Sequence, residues 1–380
     1  MDQPKTQQAQ PLRVLMVTPR FFPDMGGIET HVYEVARRLA KSGADVTVLA
    51  TDRSGTRPAQ EDVEGIHVRR VPAYPRNKDY YFAPAIGKVI QEGDWPIIHC
   101  QGFHTFVPPM AMRAARRKGT PYVLTFHSGG HSNDWRNSIR DVQTKMLGGL
   151  LRGATRLIGV SRFEAELFAR RLNIPLDRIT VILNGSNLPA VETPNGDGAG
   201  QTGTLILSVG RLEKYKGHQR MIRAFPHILE KCPDARLRVL GVGPYEAELK
   251  GLVTELNLGQ SVEIGAIPIG DRKGMATVMS QAKLVTLLSD YEANPVSVME
   301  AVSLRRPVLV SDTSGFRELA ERGWVHAIPL DSTPEQVAKA ALEQIANPSI
   351  PPAINLPTWD DCASQVLAVY HDVLSKREQR

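Results

Sequence analysis

At 380 residues the chain is longer than a single hydrophobic core usually supports, so two domains are the natural expectation. An apolar share of 42% and a charged share of 23% are those of an ordinary soluble globular protein, and no stretch approaches the roughly 18 apolar residues of a membrane span. The net charge of +6 is uneven, with 26 Lys and Arg against 17 Asp and Glu up to Leu188 and 20 against 23 beyond it.

The basic half carries Arg37, Arg38, Arg69, Arg70, Arg113, Arg116, Arg117, Lys118, Arg170 and Arg171. They could face an anionic acceptor or the acidic inner face of a membrane as a peripheral contact, although solvated helix faces carry the same residues. Nucleic acid is not expected as a partner, because no aromatic-interleaved basic stretch or DNA-reading motif occurs. Cys100, Cys232 and Cys362 lie far apart, so neither a disulfide framework nor a zinc site is indicated. The polar start from Met1 to Pro11 lacks the apolar core of a signal peptide, and a reducing cytoplasm is the expected location.

Short β-branched runs alternate with amphipathic helical patterns, which predicts an α/β fold of doubly wound parallel sheets. The first strand is expected at Arg13–Thr18, followed by a Pro/Gly loop and a helix with Ile28, Val32, Val35, Ala36, Leu39 and Ala40 on one face, ended by Gly43. Strands at Val46–Ala50, Ile66–Val71, Ile97–Cys100, Tyr122–Phe126, Leu157–Val160 and Thr180–Leu183 complete a Rossmann-like domain over residues 12–188. The low-complexity stretch 189–203 reads as a linker. A second series at Thr204–Val209, Arg236–Leu240, Ser261–Ile264, Leu284–Leu288 and Pro307–Ser311 predicts a second Rossmann-like domain over 204–357, facing the first across a cleft. A final helical stripe of Trp359, Ala363, Val366, Tyr370 and Val373 occupies residues 358–377.

The first strand-to-helix turn, Thr18-Pro-Arg-Phe-Phe-Pro-Asp-Met-Gly-Gly-Ile-Glu29, lacks Gly-x-Gly-x-x-Gly. That counts against a nicotinamide-dependent oxidoreductase, the other natural class for a doubly wound chain. Gly26 and Gly27 instead place bare backbone at a helix start, where it can approach a phosphate or a sugar. His127 follows a strand at its carboxyl end, where ligands bind in open α/β sheets, and His99 and His104 flank another strand end. His31, His67, His227 and His371 read as structural or surface residues. Gly210 turns the strand that ends at Val209, and Arg211 with Lys216 then stands beside a helix start. Two such cations can clamp a diphosphate and neutralise the charge that grows on it as a sugar leaves. Gly241-Val-Gly243 is too short to count as a nucleotide loop.

The segment Asp290-Tyr-Glu-Ala-Asn-Pro-Val-Ser-Val-Met-Glu-Ala301 is the most informative. Asn294 reads as a helix N-cap and Pro295 as the first helical residue, which puts Glu292 in the loop and Glu300 on the second turn. The free N–H groups of Val296 and Ser297 and the positive end of the helix dipole form an anion seat between two carboxylates, suited to a nucleotide sugar. A capped surface helix with two solvated glutamates would look the same. No Asp-x-Asp occurs and no His/Asp/Glu cluster has metal-ligand spacing, so neither a metal nor another cofactor is expected. No nucleophile activated by a nearby base stands out either.

Glu292 and Glu300 at this spacing, ahead of Val308-Leu-Val-Ser311, resemble the signature of retaining glycosyltransferases of the GT-B fold, in particular family 4, and the resemblance runs from about Arg13 to the C-terminal helix. It implies two Rossmann-like domains across a cleft, with the last helix returning to the first. Gly210-Arg211-Leu212 with Lys216-Gly217 resembles the family's diphosphate segment, Thr125-Phe-His127 its active-site histidine, and the Pro-x-x-Gly26-Gly27 loop the one over the donor phosphates and the acceptor. By the same resemblance Glu300 binds the ribose, Glu292 with the backbone of Ala293, Asn294 and Pro295 meets the donor sugar, and the amides of Val296 and Ser297 reach the diphosphate. His99 and His104 fall on the acceptor side, and Gly315 with Glu318 matches a downstream Gly-x-x-Glu. Leu304-Arg305-Arg306-Pro307 departs from the family, which commonly has a glycine there.

The expected activity is transfer of a sugar from a UDP-, GDP- or ADP-sugar to a hydroxyl acceptor, with retention at the anomeric carbon and without metal. Two alternatives remain open at this point, a nucleotide-sugar 2-epimerase of the same fold and a non-catalytic binder of nucleotide sugars.

Overall fold

The computed structural model describes residues 11–24, 26–76, 81–127, 134–186, 188–189, 203–268 and 270–379, with the backbone alone at 134–141 and 378. Most of the expected linker lies outside the described residues. The first half comprises β1 (Arg13–Val17), α1 (Gly27–Lys41), β2 (Asp45–Asp52), β3 (Gln60–Val63), β4 (Ile66–Pro72), α2 (Ala85–Glu92), β5 (Ile97–Gln101), α3 (Val107–Lys118), β6 (Tyr122–Thr125), α4 (Asp134–Arg152), β7 (Arg156–Gly159), α5 (Arg162–Leu172) and β8 (Ile179–Val181). The second comprises β9 (Leu205–Val209), α6 (His218–Lys231), β10 (Arg236–Leu240), α7 (Glu246–Glu255), β11 (Val262–Gly265), α8 (Arg272–Gln281), β12 (Leu284–Leu287), α9 (Val296–Ser303), β13 (Val308–Ser311), α10 (Ser314–Glu321), β14 (His326–Ile328), α11 (Pro334–Ala346) and α12 (Trp359–Glu378).

The strands form two sheets, ordered β3-β4-β2-β1-β5-β6-β7-β8 and β11-β10-β9-β12-β13-β14. β1 is central to the first, parallel to β2 and β5, and its continuous apolar run is what a strand covered on both faces requires. Leu15 and Val17 point to a core with α2, α3 and α5, while Val14 and Met16 point to a core with α1 and α12. The second sheet divides the same way. Ile206 packs with α6, α7 and α11, whereas Leu207 and Val209 pack with α8, α9 and α10.

Two strands were not expected from the sequence. β3 pairs antiparallel with β4 through a hairpin whose two turn residues, Glu64 and Gly65, have φ of 49° and 82°. That is the twist a two-residue hairpin needs, but Gln60-Glu-Asp-Val63 is polar and exposed enough to read as loop. β14 is a three-residue edge strand beside β13.

The chain crosses between the halves twice, and the crossings touch. The Ser186 N–H donates to the Pro357 carbonyl at 3.0 Å. A Cβ on Gly185 would lie 2.3 Å from the Trp359 nitrogen, so glycine is what lets the outgoing chain lie on the start of α12. Thr358 and Asp361 close a capping box there, and α12 buries Trp359, Cys362, Ala363, Val366, Tyr370 and Val373 against the first half. At the carboxyl ends of the strands the halves meet directly: Asn294, beyond β12, donates through Nδ2 to the Val160 carbonyl, beyond β7, at 2.8 Å.

Candidate active site

The loop from β9 to α6 is held from below. His218, completely buried, donates through Nε2 to the Arg211 carbonyl at 3.1 Å, so its Nδ1 accepts from the Ser208 hydroxyl at 2.8 Å. Burial lowers its pKa to about 4, and the ring is neutral. Gly217 has φ 75°, and a Cβ there would lie 1.9 Å from the Leu288 carbonyl oxygen, so only glycine lets this loop press on the end of β12. Cβ atoms on Gly241 and Gly243 would meet the carbonyl oxygens of Gly210 and Leu212 at 1.9 and 2.3 Å. The pair dismissed as a nucleotide loop therefore supports the one carrying Arg211, a role visible only in three dimensions. The Arg211 side chain is half exposed and pairs with Glu213 at 3.1 Å.

The loop from β12 to α9 is stitched to it. Glu292 is buried, and its Oε1 accepts from Lys216 Nζ at 2.5 Å and from the Ser289 hydroxyl at 2.8 Å. Burial lowers the Lys216 pKa, but Glu292 and Tyr215 outweigh it and hold the ammonium above its ordinary value. The Glu292 N–H donates to the Ser314 hydroxyl at 2.7 Å, and the Gly315 N–H donates to the Glu292 carbonyl at 2.8 Å. Ser314 has φ 44°, an uncommon conformation for serine, and a Cβ on Gly315 would lie 2.5 Å from the Ala293 carbonyl oxygen. Both residues at the start of α10 are thus shaped around the Glu292–Ala293 backbone. Glu318 pairs instead with Arg322 at 2.6 Å.

One expectation at α9 is corrected. Pro295 is the N-cap and Val296 the first helical residue, and Asn294 does not cap because its amide is engaged by Val160 across the cleft. The N–H groups of Val296 and Ser297 still open the helix without intrahelical partners. The Ser297 hydroxyl donates to the Val209 carbonyl at 3.1 Å, which fixes the helix start against the end of β9. Glu300, on the second turn, is buried and pairs with Arg272 at the start of α8, a partner the sequence did not point to.

On the other wall, Gly26 is the N-cap of α1 and Gly27 its first residue; a Cβ on Gly27 would meet nothing within 4 Å. His127 lies just beyond β6 and donates through Nε2 to Gln101 Oε1 at 2.8 Å, which leaves Nδ1 as its acceptor. Burial first, then the nearby His31, His99 and His104, push its pKa well below the ordinary histidine value. His31, expected to be structural, stands edge-on to His127 with ring centroids 4.8 Å apart and pairs through Nδ1 with Asn184 at 2.8 Å. His104 stays in the loop after β5, tilted against Phe103. His99, expected on the acceptor side, is completely buried. Its ring bonds Tyr370 at 2.6 Å and Thr125 at 2.7 Å, so no nitrogen is left for an acceptor.

Several of the basic residues are engaged within the first half, while Arg113, Arg170 and Arg171 stay exposed. Arg70 is buried against Glu61 and the Phe22 carbonyl, Arg37 and Arg38 pair with Glu34, and Lys118 caps α2 by donating to the carbonyls of Ile90, Gln91 and Gly93. Arg116 and Arg117 are exposed, but in the last turn of α3, which runs away from the strand ends that form the cleft. A partly open space between the halves, lined by Asn184, Ser186, Asn294, Met299, Trp324 and Pro357, lies beside the α9 start and excludes Arg211, Lys216, Glu292 and His127. Among the described residues no helix is long and apolar enough to cross a membrane.

Comparison with known proteins covers almost the whole chain. Residues 25–188 match the family described as Glycosyltransferase Family 4, and residues 192–352 the family described as Glycosyl transferases group 1. A GDP-mannose:cellobiosyl-diphosphopolyprenol alpha-mannosyltransferase of Xanthomonas oryzae pv. oryzae is 25% identical over 96% of this chain and 97% of its own. A phosphatidyl-myo-inositol mannosyltransferase of Mycobacterium leprae is 26% identical over 95% and 97%. In structure, a sucrose-phosphate synthase from Thermosynechococcus elongatus superposes with a TM-score of 0.70 at 20% identity, over 97% of this chain and 98% of that one. Anabaena HepE in complex with UDP-glucose gives 0.65 at 17% identity, over 97% and 98%.

The buried histidines predict how stability depends on pH. Burial lowers the pKa of His31 and His218 to about 4 and that of His99 to about 3. The unfolded chain takes up these protons near pH 6.5. Below that the unfolded state binds more protons, so stability is full above pH 6.5 and falls as pH drops, approaching about 1.4 kcal/mol per unit for each ring. Urea unfolding at pH 7.5 and pH 5 should show a loss of several kcal/mol at the lower pH; equal stability would mean that the rings are not buried neutral.

Proposed function

The chain belongs to the group 1 glycosyltransferases of family 4, and on that premise we propose that it moves a sugar from a nucleoside diphosphate sugar to a hydroxyl of a lipid-linked acceptor, with retention at the anomeric carbon and without a bridging metal. The observation that carries the reading is the Lys216–Glu292 pair at the open N-terminus of α9. It joins the loop of Lys216 and the half-exposed Arg211 to the loop that leads into α9, where the N–H groups of Val296 and Ser297 lack intrahelical partners, and cations on a loop tied to a helix N-terminus suit a diphosphate. The absence of an Asp-x-Asp pair gives those groups the task that a divalent cation has elsewhere.

In this scheme the diphosphate sits between the N–H groups of Val296 and Ser297 and the two cations, and Glu300 accepts from the ribose hydroxyls. Glu292 with the backbone of Ala293 to Pro295 meets the sugar hydroxyls. The bond from the anomeric carbon to the β-phosphate oxygen breaks as Arg211, Lys216 and the helix dipole stabilise the charge that collects on the diphosphate. The acceptor oxygen attacks from the face the diphosphate leaves, and a departing phosphate oxygen takes its proton, which gives retention. His127 is neutral and touches the sugar as a hydrogen-bonding group, not as an acid. The relatives named above are transferases, which supports transfer over epimerisation.

The lipid-linked acceptor is supported by the substrates in the relatives' names and by Phe22, Phe82 and Phe106, each 41% exposed or more, in the loops that leave the cleft-facing strand ends of the first half. These rings could rest at a lipid surface beside the cleft, whereas Arg116 and Arg117 stand at the far end.

Two measurements follow. Replacing Arg211 or Lys216 by Ala should lower turnover about a hundredfold or more, the scale of one lost transition-state donor, while wild-type activity in excess EDTA should equal that with magnesium or manganese. Near-normal activity in both variants, or loss on chelation restored by metal, would contradict the scheme. For the acceptor, Phe82→Ser with Phe106→Ser should reduce co-sedimentation with anionic vesicles and raise the KM for a lipid-linked acceptor while the donor KM stays unchanged. Unaltered vesicle binding and acceptor KM would remove the lipid contact from this edge.

A further inference from the structure

Glu300 is 4% exposed, on a helix whose other residues from Val296 to Ser303 are uncharged. A carboxylate at that depth without a partner would take up a proton, because burial in a low-dielectric wall penalises the charged form. Its charged partner is Arg272, which reaches in from the first position of α8 with its side chain 43% exposed and bonds Oε1 through Nη2. The Ser186 hydroxyl of the first crossover also bonds the carboxylate. Burial raises the Glu300 pKa, and Arg272 and then Ser186 oppose the rise. β12 and β13, which pack beside α9, supply no titratable or charged group to this carboxylate.

Arg272 is placed with some care. The neighbouring Asp271 spends its carboxylate on the Gly274 N–H at 2.8 Å and so caps α8, which leaves the guanidinium free to cross to α9. The pair joins the loop after β11 to the wall beside β9 and β12, across the intervening strand β10.

We propose that Arg272 is a positioning residue for donor recognition, holding Glu300 ionised and fixed in orientation so that the nucleotide ribose meets an acceptor carboxylate. The proposal rests on Glu300 as the ribose ligand. Chemically, an ionised carboxylate accepts from both hydroxyls of a vicinal diol, whereas a protonated one loses an acceptor site and gains a competing donor. Arg272 offsets part of the cost of burying that charge. Without it only Ser186 opposes burial, the carboxyl pKa rises further, and nucleotide affinity depends more steeply on pH than in the intact site.

The test is calorimetric titration of GDP, with UDP and ADP in parallel, at pH 6, 7 and 8 into the full chain and into Arg272→Met, Arg272→Lys and Glu300→Gln, each checked for an intact fold by circular dichroism. The intact chain should bind the best of the three nucleotides with a Kd that changes less between pH 6 and pH 8 than that of Arg272→Met. Arg272→Met should bind it about tenfold or more weakly at pH 6 and recover toward pH 8, as Glu300 ionises. Arg272→Lys should keep the pH profile of the intact chain, because it keeps the charge, and Glu300→Gln should be weak and flat. Wild-type affinity in Arg272→Met beside a weakened Glu300→Gln would overturn the positioning role and leave the ribose contact standing. So would an equal loss at every pH that Lys does not restore. Wild-type affinity in Glu300→Gln would overturn the ribose contact itself.

Discussion

The active-site wall depends on one buried ion pair. Lys216 and Glu292 belong to different loops, and Glu292 alone would be a largely buried charge without a cation, a costly arrangement. Paired, and joined by the Ser289 hydroxyl, they tie the loop after β9 to the loop before α9. The rest of the wall serves that junction. His218 holds the Arg211 carbonyl, Gly217 lets the loop reach Leu288, and Ser314 and Gly315 grip the Glu292 backbone from α10. In the proposed reaction an incoming diphosphate competes with Glu292 for the ammonium, so the charge that stabilises the empty wall is the charge that holds the leaving group.

The second wall reaches this junction through few contacts. Asn294 bonds the Val160 carbonyl, and the rings of Phe163 and Tyr291 meet edge to face at 5.9 Å. Behind the cleft, Gly185 lies on the start of α12, and Trp359 at that start stands edge-on to His31, which in turn stands edge-on to His127. His127 is therefore packed, through one intervening ring, against the point where the two crossings touch.

Much of this was legible in the sequence because it is written in local pattern. Strand cores such as Val14 to Val17 and Leu205 to Val209 are unbroken apolar runs, and the expected strands agree with the observed ones to within about two residues. Arg211, Lys216, Glu292 and Glu300 could be placed by the local turn and helix signals around them, but it was the motif resemblance that singled them out. What stayed hidden depends on partners distant in the chain. From its own segment Asn294 reads as a cap because Val160 cannot be seen there, His99 reads as an acceptor-side residue because Tyr370 lies far along the chain, and Arg272 has no reason to be noticed without Glu300 beside it. Gly185, Gly241 and Gly243 answer to backbone pressed against them from elsewhere. The β3–β4 hairpin escaped because its turn is Glu-Gly and its edge strand is polar, so neither the usual turn residues nor an alternating pattern was present.

The central claim is that the diphosphate of the donor binds between the start of α9 and the two cations of the β9–α6 loop. A crystal structure of the protein with a bound nucleoside diphosphate tests it most directly. Phosphate oxygens within about 2.7–3.2 Å of Lys216 Nζ and of the Val296 and Ser297 nitrogens are the predicted result. A diphosphate seated elsewhere, with Lys216 and Glu292 still joined and the α9 start in contact with solvent alone, would contradict it.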